Sequence, residues 1–212
     1  LAHNGVLFLD EMPEYSRSTL EALRQPLEDG CITVTRSSGA VTFPANFMLC
    51  ASMNPCPCGN YGSADKVCTC TPAAIRKYRS RISGPLLDRI DIQVEVDSVK
   101  YDDLAAPKEE EPSAAVRARV ERARGLQRER FAGEKAIRTN ADMSERELRR
   151  FCPLSRECEN ILRASFESLH LSARARSRII KVARTIADLA GEEKIRPEHL
   201  LEAVSYRKYD ND

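Results

Sequence analysis

The chain has 212 residues, of which 42% are hydrophobic and 31% charged, and 33 basic against 32 acidic side chains leave a net charge of +1. This composition excludes a disordered or fibrous protein, and the length suits a medium domain with a smaller one attached. The longest apolar run, Phe47 to Ala51, is far shorter than the roughly 20 residues of a membrane-spanning helix. Eight cysteines without the even spread of a disulfide scaffold, and no secretory signal, favour a reducing cytoplasm.

Charge divides the chain. Residues 1–112 carry a net charge of −5, whereas residues 113–150 carry +5. Between them, two prolines bracket an acidic run over 106–112 that can neither continue a helix nor join a central strand. We therefore predict two parts, 1–105 and 113–212, joined by a linker.

The first part has the pattern of an α/β protein, because unbroken apolar runs are typical of strands buried on both faces of a parallel sheet. Leucines at helical spacing and a Ser-Ser-Gly turn complete the pattern. It predicts buried strands over 6–9 and 47–52, a helix over 18–27, a hairpin over 31–43 and a strand-like stretch over 92–96.

The second part is predicted to be entirely helical. Ser144 with Glu147 fits a capping box, Ser172 suits an N-cap and Pro197 suits a first helical turn. The predicted helices run over roughly 113–131, 144–151, 155–169, 172–190 and 197–206.

Two carboxylates, Asp10 and Glu11, follow the first predicted strand directly. Ligands of open α/β sheets bind at this carboxyl end of the strands. A nucleotide-hydrolysing site needs one carboxylate to hold Mg²⁺ and a second to polarise the attacking water, which is the Walker B arrangement. The alternative for this motif alone is a strand that ends in a charged turn.

Three further features favour a nucleotide site. Asn54 follows the second strand, where an amide can orient the lytic water. Arg89 lies among acids and apolar residues, and its guanidinium could neutralise charge on a transferred phosphoryl group of a neighbouring subunit. Finally, the helix that follows Ser172 opens with three arginines, from which a lid could reach phosphate.

Six segments carry a family resemblance. In order between residues 5 and 191 they are GVLFLDEMPE, LEALRQPLEDG, ITVTRSSGAVTFPANF, MNPCPCG, GPLLDRID and SARARSRIIKVARTIADLAG. Together they resemble the magnesium-chelatase-like AAA+ ATPases, and most closely the ComM/YifB-like family. The resemblance implies the C-terminal part of a P-loop AAA+ core, α/β with a hairpin insertion, followed by an all-α helical lid. It also implies a ring, expected to be a hexamer, that binds ATP and Mg²⁺ between subunits.

The resemblance also implies roles for single residues. Asp10 and Glu11 would form Walker B, with Asp10 on Mg²⁺. Asn54 would be sensor 1 and Arg89 the arginine finger. Arg174 would be sensor 2, with Arg178 as the reserve candidate. The 31–43 hairpin would be the insertion that points into the central pore.

One departure from the family pattern concerns the phosphate-binding loop. None of the nine glycines is followed by Lys, so the chain contains no G-x-x-x-x-G-K-[ST] segment. The family carries that loop upstream of Walker B, after a Lon-protease-like domain. We therefore expect this chain to be a C-terminal part that binds nucleotide poorly and hydrolyses none by itself.

Four cysteines form two C-x-C pairs on a glycine-containing loop: Cys56, Cys58, Cys68 and Cys70. Four thiolates at this spacing can close a tetrahedral shell around a structural Zn²⁺ that leaves no open position for catalysis. The alternatives are four reduced thiols in a flexible loop, or disulfides formed on oxidation. The other four cysteines are interpreted as small apolar residues.

The helix over 113–131 is rich in arginine. Val116, Val120 and Ala123 form one stripe, and Arg117, Arg124 and Arg128 share a flanking face that could contact a nucleic-acid backbone. The alternative is a solvated face that pairs with neighbouring glutamates.

Three functions remain open at this stage. The first, implied by the resemblance, is a ring ATPase that remodels DNA by branch migration or helicase-like movement in recombination and natural transformation. The second is a chelatase- or chaperone-type motor that acts on metal insertion or on protein. The third is a zinc-stapled interaction module without catalysis.

Overall fold

The computed structural model describes residues 1–37, 39–63, 65–97, 111–169 and 171–207. They form two compact units, Leu1–Ile90 and Asp91–Asp212. Most of the predicted linker lies outside the described residues, so the boundary at 106–112 stays a prediction. None of the helices in the described ranges has both the length and the apolar character needed to cross a membrane.

The first unit contains two small sheets and four short helices among its described residues. In chain order its elements are β1 (Val6–Leu9), a 3₁₀ turn (Met12–Glu14), α1 (Arg17–Ala22), α2 (Arg24–Asp29), β2 (Cys31–Arg36), β3 (Gly39–Pro44), β4 (Met48–Ala51), α3 (Pro72–Arg79) and α4 (Gly84–Leu87). Met12, Leu20, Ile82 and Leu86 form its buried core.

Strands β1 and β4 pair in parallel, with Val6 opposite Met48 and Leu9 opposite Ala51. The expectation that both faces are buried is wrong for this chain, since Val6, Phe8 and Met48 keep 57%, 58% and 62% of their surface exposed. The physical reason is that, among the described residues, no element packs closely enough on this face to bury these side chains, and the sheet has only the two strands β1 and β4.

The helix predicted over 18–27 is two helices that meet at Leu23. Pro26 is the cause, because it has no N–H to donate to the carbonyl of Ala22 and its ring would clash with that carbonyl in a continuous helix. Ser16 caps α1 by accepting a hydrogen bond from the Thr19 backbone N–H at 3.2 Å. Gly30, at φ 64°, ends α2 in the left-handed conformation that glycine adopts without strain.

The hairpin is confirmed as β2 and β3, which pair antiparallel with Ile32 opposite Phe43 and Val34 opposite Val41. These four side chains share one face, while a Thr33–Thr42 hydroxyl pair at 2.9 Å lies on the other. Every described residue from 33 to 44 is exposed. The hairpin is therefore held mainly by its own ladder.

The strand-like stretch over 92–96 is not a strand in this structure, so this prediction is wrong. Its apolar alternation meets no partner strand among the described residues. Instead, the Gln93 backbone N–H donates to the carbonyl of Tyr206, at 3.1 Å, in the turn after the last helix.

The second unit is helical, as predicted, and its helices end within one residue of the expected bounds. They are α5 (Ser113–Arg130), α6 (Glu145–Phe151), α7 (Arg156–Leu169), α8 (Ala173–Ala190) and α9 (Pro197–Ser205), with a 3₁₀ turn at Asn140–Asp142. The Ser144–Glu147 capping box and the Ser172 N-cap are both present. The core includes Phe131, Leu162, Ile179, Ile180 and Leu200.

A buried polar network joins α5, the 3₁₀ turn and α8. Asp188, whose side chain is fully buried, accepts from both terminal nitrogens of Arg130, at 2.9 Å for Nη1, and from Arg184 Nε at 3.1 Å. Asn140 donates to the same carboxylate at 2.8 Å. Arg184 also donates to the backbone carbonyl of Glu193, at 2.6 Å, beyond the end of α8. Because every buried charge has a partner, the network fixes how these elements pack.

The network generates a stability prediction. Asp188→Ala leaves the buried guanidinium of Arg184 and the half-buried one of Arg130 without their carboxylate, so we expect the free energy of unfolding to fall by about 3–5 kcal/mol. The matched change Glu159→Ala removes an exposed pair with Arg176 and should cost less than about 1 kcal/mol. Urea unfolding followed by far-ultraviolet circular dichroism measures both. Equal losses for the two variants would contradict this role of Asp188.

Candidate functional site

The two carboxylates of the predicted Walker B motif are exposed at the carboxyl end of β1. Glu11 has φ 49° and ψ 49°, a left-handed conformation that is uncommon outside glycine. Its backbone N–H points back to Asp10 Oδ1 at 3.1 Å. The turn therefore sets the two carboxylates on an accessible edge, as a metal and water site requires.

The end of β4 lies beside this turn. The Ser52 hydroxyl donates to Asp10 Oδ1 and accepts from the Glu11 N–H at 3.1 Å. Two residues later comes Asn54, which is exposed. Parallel pairing thus brings both strand ends, and the predicted acids and amide, to one edge of the sheet.

Tyr78, on α3, also belongs to this edge. The backbone amide of Asn54 hydrogen-bonds its hydroxyl, and burial raises the pKa of Tyr78, to which the nearby carboxylates of Glu14 and Glu11 add. Arg79, the next residue, donates from Nε to the carbonyl of Pro55 at 3.3 Å. α3 therefore holds the backbone at Asn54 from two adjacent positions.

Arg89, the predicted arginine finger, is only 7% exposed. It forms an ion pair with Glu28 at the end of α2 and donates from Nη1 to the carbonyl of Pro85 at 2.5 Å. Its guanidinium is thus engaged within its own chain. To reach a neighbouring subunit, the Glu28 pair would have to open.

The two sensor 2 candidates lie in the first turns of α8, in the second unit. Arg174 is exposed, whereas Arg178 is half-buried and its Nη1 lies 2.6 Å from Asp91 Oδ1. Of the two, Arg174 is the more accessible to a ligand.

The four-cysteine loop brings its sulfurs together. Cys56 Sγ lies 3.4 Å from Cys58 Sγ and 3.7 Å from Cys68 Sγ, and Cys58 and Cys68 are 3.6 Å apart. With Cys70, all four sulfurs lie within 4.8 Å of one another. A tetrahedral zinc with Zn–S bonds of about 2.3 Å needs sulfurs about 3.8 Å apart, so this donor set fits the ion.

The electrostatics of the loop also favour a thiolate site. Backbone hydrogen bonds from Asn60 and Thr69 lower the pKa of Cys58 to about 5. Burial raises the pKa of Cys70 to about 12, and the neighbouring Cys58 and Cys56 raise it further, since adjacent thiolates without a cation cannot all carry charge. A divalent cation would remove this conflict.

Helix α5 leaves its arginine face accessible. Arg117, Arg124 and Arg128 are exposed. The predicted apolar stripe is only partly buried, because Ala123 packs inside while Val116 and Val120 remain 39% and 46% exposed. Among the described residues the three arginines have no carboxylate partner, so their face is an exposed cationic row.

Three residues of this region escape sequence reasoning: Ser52, Tyr78 and Glu28. Each acts through a partner distant in sequence, and Glu28 and Arg89 are 61 positions apart. For Ser52 alone the sequence offers a signal, a hydroxyl at the end of the second predicted strand and two residues before Asn54.

Comparisons with known proteins agree with this arrangement. The family model for magnesium chelatase, subunit ChlI, matches residues 1–104, and the model for the C-terminal part of the same subunit matches residues 110–207.

Several curated relatives match almost the whole chain. The competence protein ComM of Haemophilus influenzae is 44% identical over 209 residues, which is 98% of this chain and 40% of the relative. The uncharacterized protein YifB of Escherichia coli is 44% identical over 212 residues, or 99% of this chain and 40% of the relative. The chain therefore spans about two fifths of the length of these relatives. With two family models that together cover nearly all of it, the chain belongs to the ComM/YifB-like magnesium-chelatase family.

Proposed function

We propose that this chain is the C-terminal part of a cytoplasmic, ring-forming AAA+ ATPase that hydrolyses ATP with Mg²⁺. The observation that carries the proposal is the exposed Asp10–Glu11 pair, held beside Ser52 and Asn54 at one edge of a parallel sheet. Membership of the magnesium-chelatase family supports it. Asp10 would hold Mg²⁺, Glu11 would polarise the attacking water and Asn54 would orient it.

Two arginines, Arg89 and Arg174, have further proposed roles in ATP binding. In a ring, expected to be a hexamer, ATP lies between subunits. The guanidinium of Arg89 stabilises the γ-phosphoryl group of the ATP that the neighbouring subunit binds. Arg174, with Arg178 as the reserve, contacts phosphate from the helical lid. Because Arg89 is paired with Glu28 in this structure, ring assembly or nucleotide would have to exchange that carboxylate for phosphate.

For the cargo, we propose DNA, bound without sequence preference. The supporting observations are the exposed row of Arg117, Arg124 and Arg128 on α5 and the exposed hairpin with Arg36 near its tip. Guanidinium groups bind phosphate in a bidentate manner. One relative carries competence in its name, which is consistent with a motor that remodels DNA by branch migration.

A second candidate keeps the motor and changes its cargo. The matching family models are named for magnesium chelatase, which favours a motor acting on metal insertion or on protein. Its discriminating property is independence from DNA. A non-catalytic zinc-stapled module is the third possibility, and it requires that ATP hydrolysis be absent from the whole protein.

We also propose that the four-cysteine loop holds a structural zinc. The sulfur–sulfur distances and the low pKa of Cys58 support it. Zinc here would fix the loop that follows Asn54 and would supply no catalysis, because four thiolates complete its coordination.

Hydrolysis is tested on the full-length protein. Glu11→Gln removes the proposed base while keeping its shape, so we expect kcat for ATP to fall at least about 100-fold. Glu198→Gln, an exposed carboxylate on α9, is the matched control and should leave turnover unchanged. In rings that mix wild-type and Arg89→Ala subunits, the variant subunits should lower the ATP turnover of their neighbours. Unchanged turnover in Glu11→Gln would overturn the assignment.

DNA binding is tested by its salt dependence. Replacing Arg117, Arg124 and Arg128 together by Gln should weaken binding to forked or four-way DNA. The slope of log affinity against log salt should become shallower by up to about 0.9 for each lost phosphate contact. The control replaces Arg138, Arg146 and Arg149, which are exposed outside α5. If the full-length protein did not bind DNA at low salt, the motor that acts on metal insertion or on protein would replace the DNA motor as the proposed function.

The metal is tested by elemental analysis of unstripped protein, where we expect about one equivalent of zinc per chain. Cys56→Ser should lose it, whereas Cys31→Ser, outside the cluster, should keep it. A content below about half an equivalent in the wild type would contradict the site.

A further inference from the structure

Ser52 is attached to the Walker B turn through both its backbone and its side chain. Its N–H donates to the carbonyl of Leu9 at 2.9 Å, and its carbonyl accepts from the Met12 N–H at 2.8 Å. These bonds extend the β1–β4 ladder past the end of both strands. The position of Ser52 is therefore fixed relative to the two residues enclosed between them, Asp10 and Glu11.

The hydroxyl of Ser52 has one possible bonding pattern. A backbone N–H can only donate, so Ser52 Oγ accepts the proton of Glu11 N–H. An ionised carboxylate can only accept, so the hydroxyl hydrogen points to Asp10 Oδ1. One serine thus bridges the backbone of Glu11 and the side chain of Asp10.

This bridge acts on a strained turn. Glu11 occupies the left-handed region at φ 49°, and its N–H is shared between Asp10 Oδ1 and Ser52 Oγ, each at 3.1 Å. Strained backbone persists only where surrounding contacts hold it. The serine is one such contact, and it also occupies one acceptor site of Asp10, which fixes how that carboxylate can face a metal.

We propose that Ser52 is a positioning residue for Mg²⁺-dependent hydrolysis: its hydroxyl sets the rotamer of Asp10 and the direction in which Glu11 leaves the turn. This inference rests on the proposed ATPase function. Ser52 touches neither nucleotide nor water in the mechanism, and it acts through the two carboxylates.

The test uses the full-length protein and measures ATP hydrolysis as Mg²⁺ is varied. In Ser52→Ala, Asp10 loses its fixed orientation, so the Mg²⁺ concentration for half-maximal turnover should rise roughly tenfold, the effect expected for a lost hydrogen bond to a charged group. Ser52→Thr keeps the hydroxyl and should retain the wild-type Mg²⁺ dependence. Ser165→Ala, which removes a hydroxyl bonded to the carbonyl of Ile161, is the matched control.

The outcomes distinguish a failure of the proposed role of Ser52 from a failure of the proposed ATPase function. If wild type hydrolyses ATP, Glu11→Gln abolishes turnover and Ser52→Ala keeps the wild-type Mg²⁺ dependence, the role of Ser52 is refuted while the ATPase stands. A Ser52→Ala variant that loses activity at every Mg²⁺ concentration together with thermal stability, while Ser52→Thr fails in the same way, also refutes it. If wild type shows no Mg²⁺-dependent turnover that Glu11→Gln removes, both proposals fall.

Discussion

The parallel pairing of β1 with β4 is the constraint on which the candidate site depends. With Leu9 opposite Ala51, both strands end at the same edge, and the next residues of each chain segment must meet there. Asp10, Glu11 and Ser52 then fall within hydrogen-bonding distance. A register shift of one residue would turn these side chains to the opposite face and separate them.

Sequence predicts well where a local rule decides the structure. The hairpin, the five α-helices described in the second unit and their caps follow from turn chemistry, apolar periodicity and side-chain N-capping, all of which act over a few residues. The failures have a different origin. Pro26 divides a helix that the leucine spacing predicted to be continuous, and no strand in the described part of the chain pairs with residues 92–96, although their alternation favours a strand. Both outcomes depend on a competing or a missing contact.

The same distinction applies to the site. Residue type and position after a strand indicate Asp10, Glu11 and Asn54, because the edge of a parallel sheet is set by topology. The topology does not determine which partner a side chain pairs with. The ion pair of Arg89 with Glu28 joins positions 61 apart, and no periodicity encodes it. Such contacts decide whether a functional side chain is available, so a motif alone gives the chemistry without its conformational state.

Asn54 lies between two features of the first unit that follow each other in the sequence: the end of β4, which contacts the acid pair, and the four-cysteine loop. On its N-terminal side, Ser52 ties the strand end to the acid pair, and on its C-terminal side the backbone runs through Pro55 into buried Cys56. Arg79 bonds the carbonyl of Pro55 and also stacks on Tyr61, 5.1 Å from the ring centroid, within the cysteine loop. A metal that fixed the loop would therefore also fix α3 and, through Tyr78, the backbone of Asn54. Because the same short segment of chain belongs to both features, stabilising the cysteine loop would also orient the amide of Asn54.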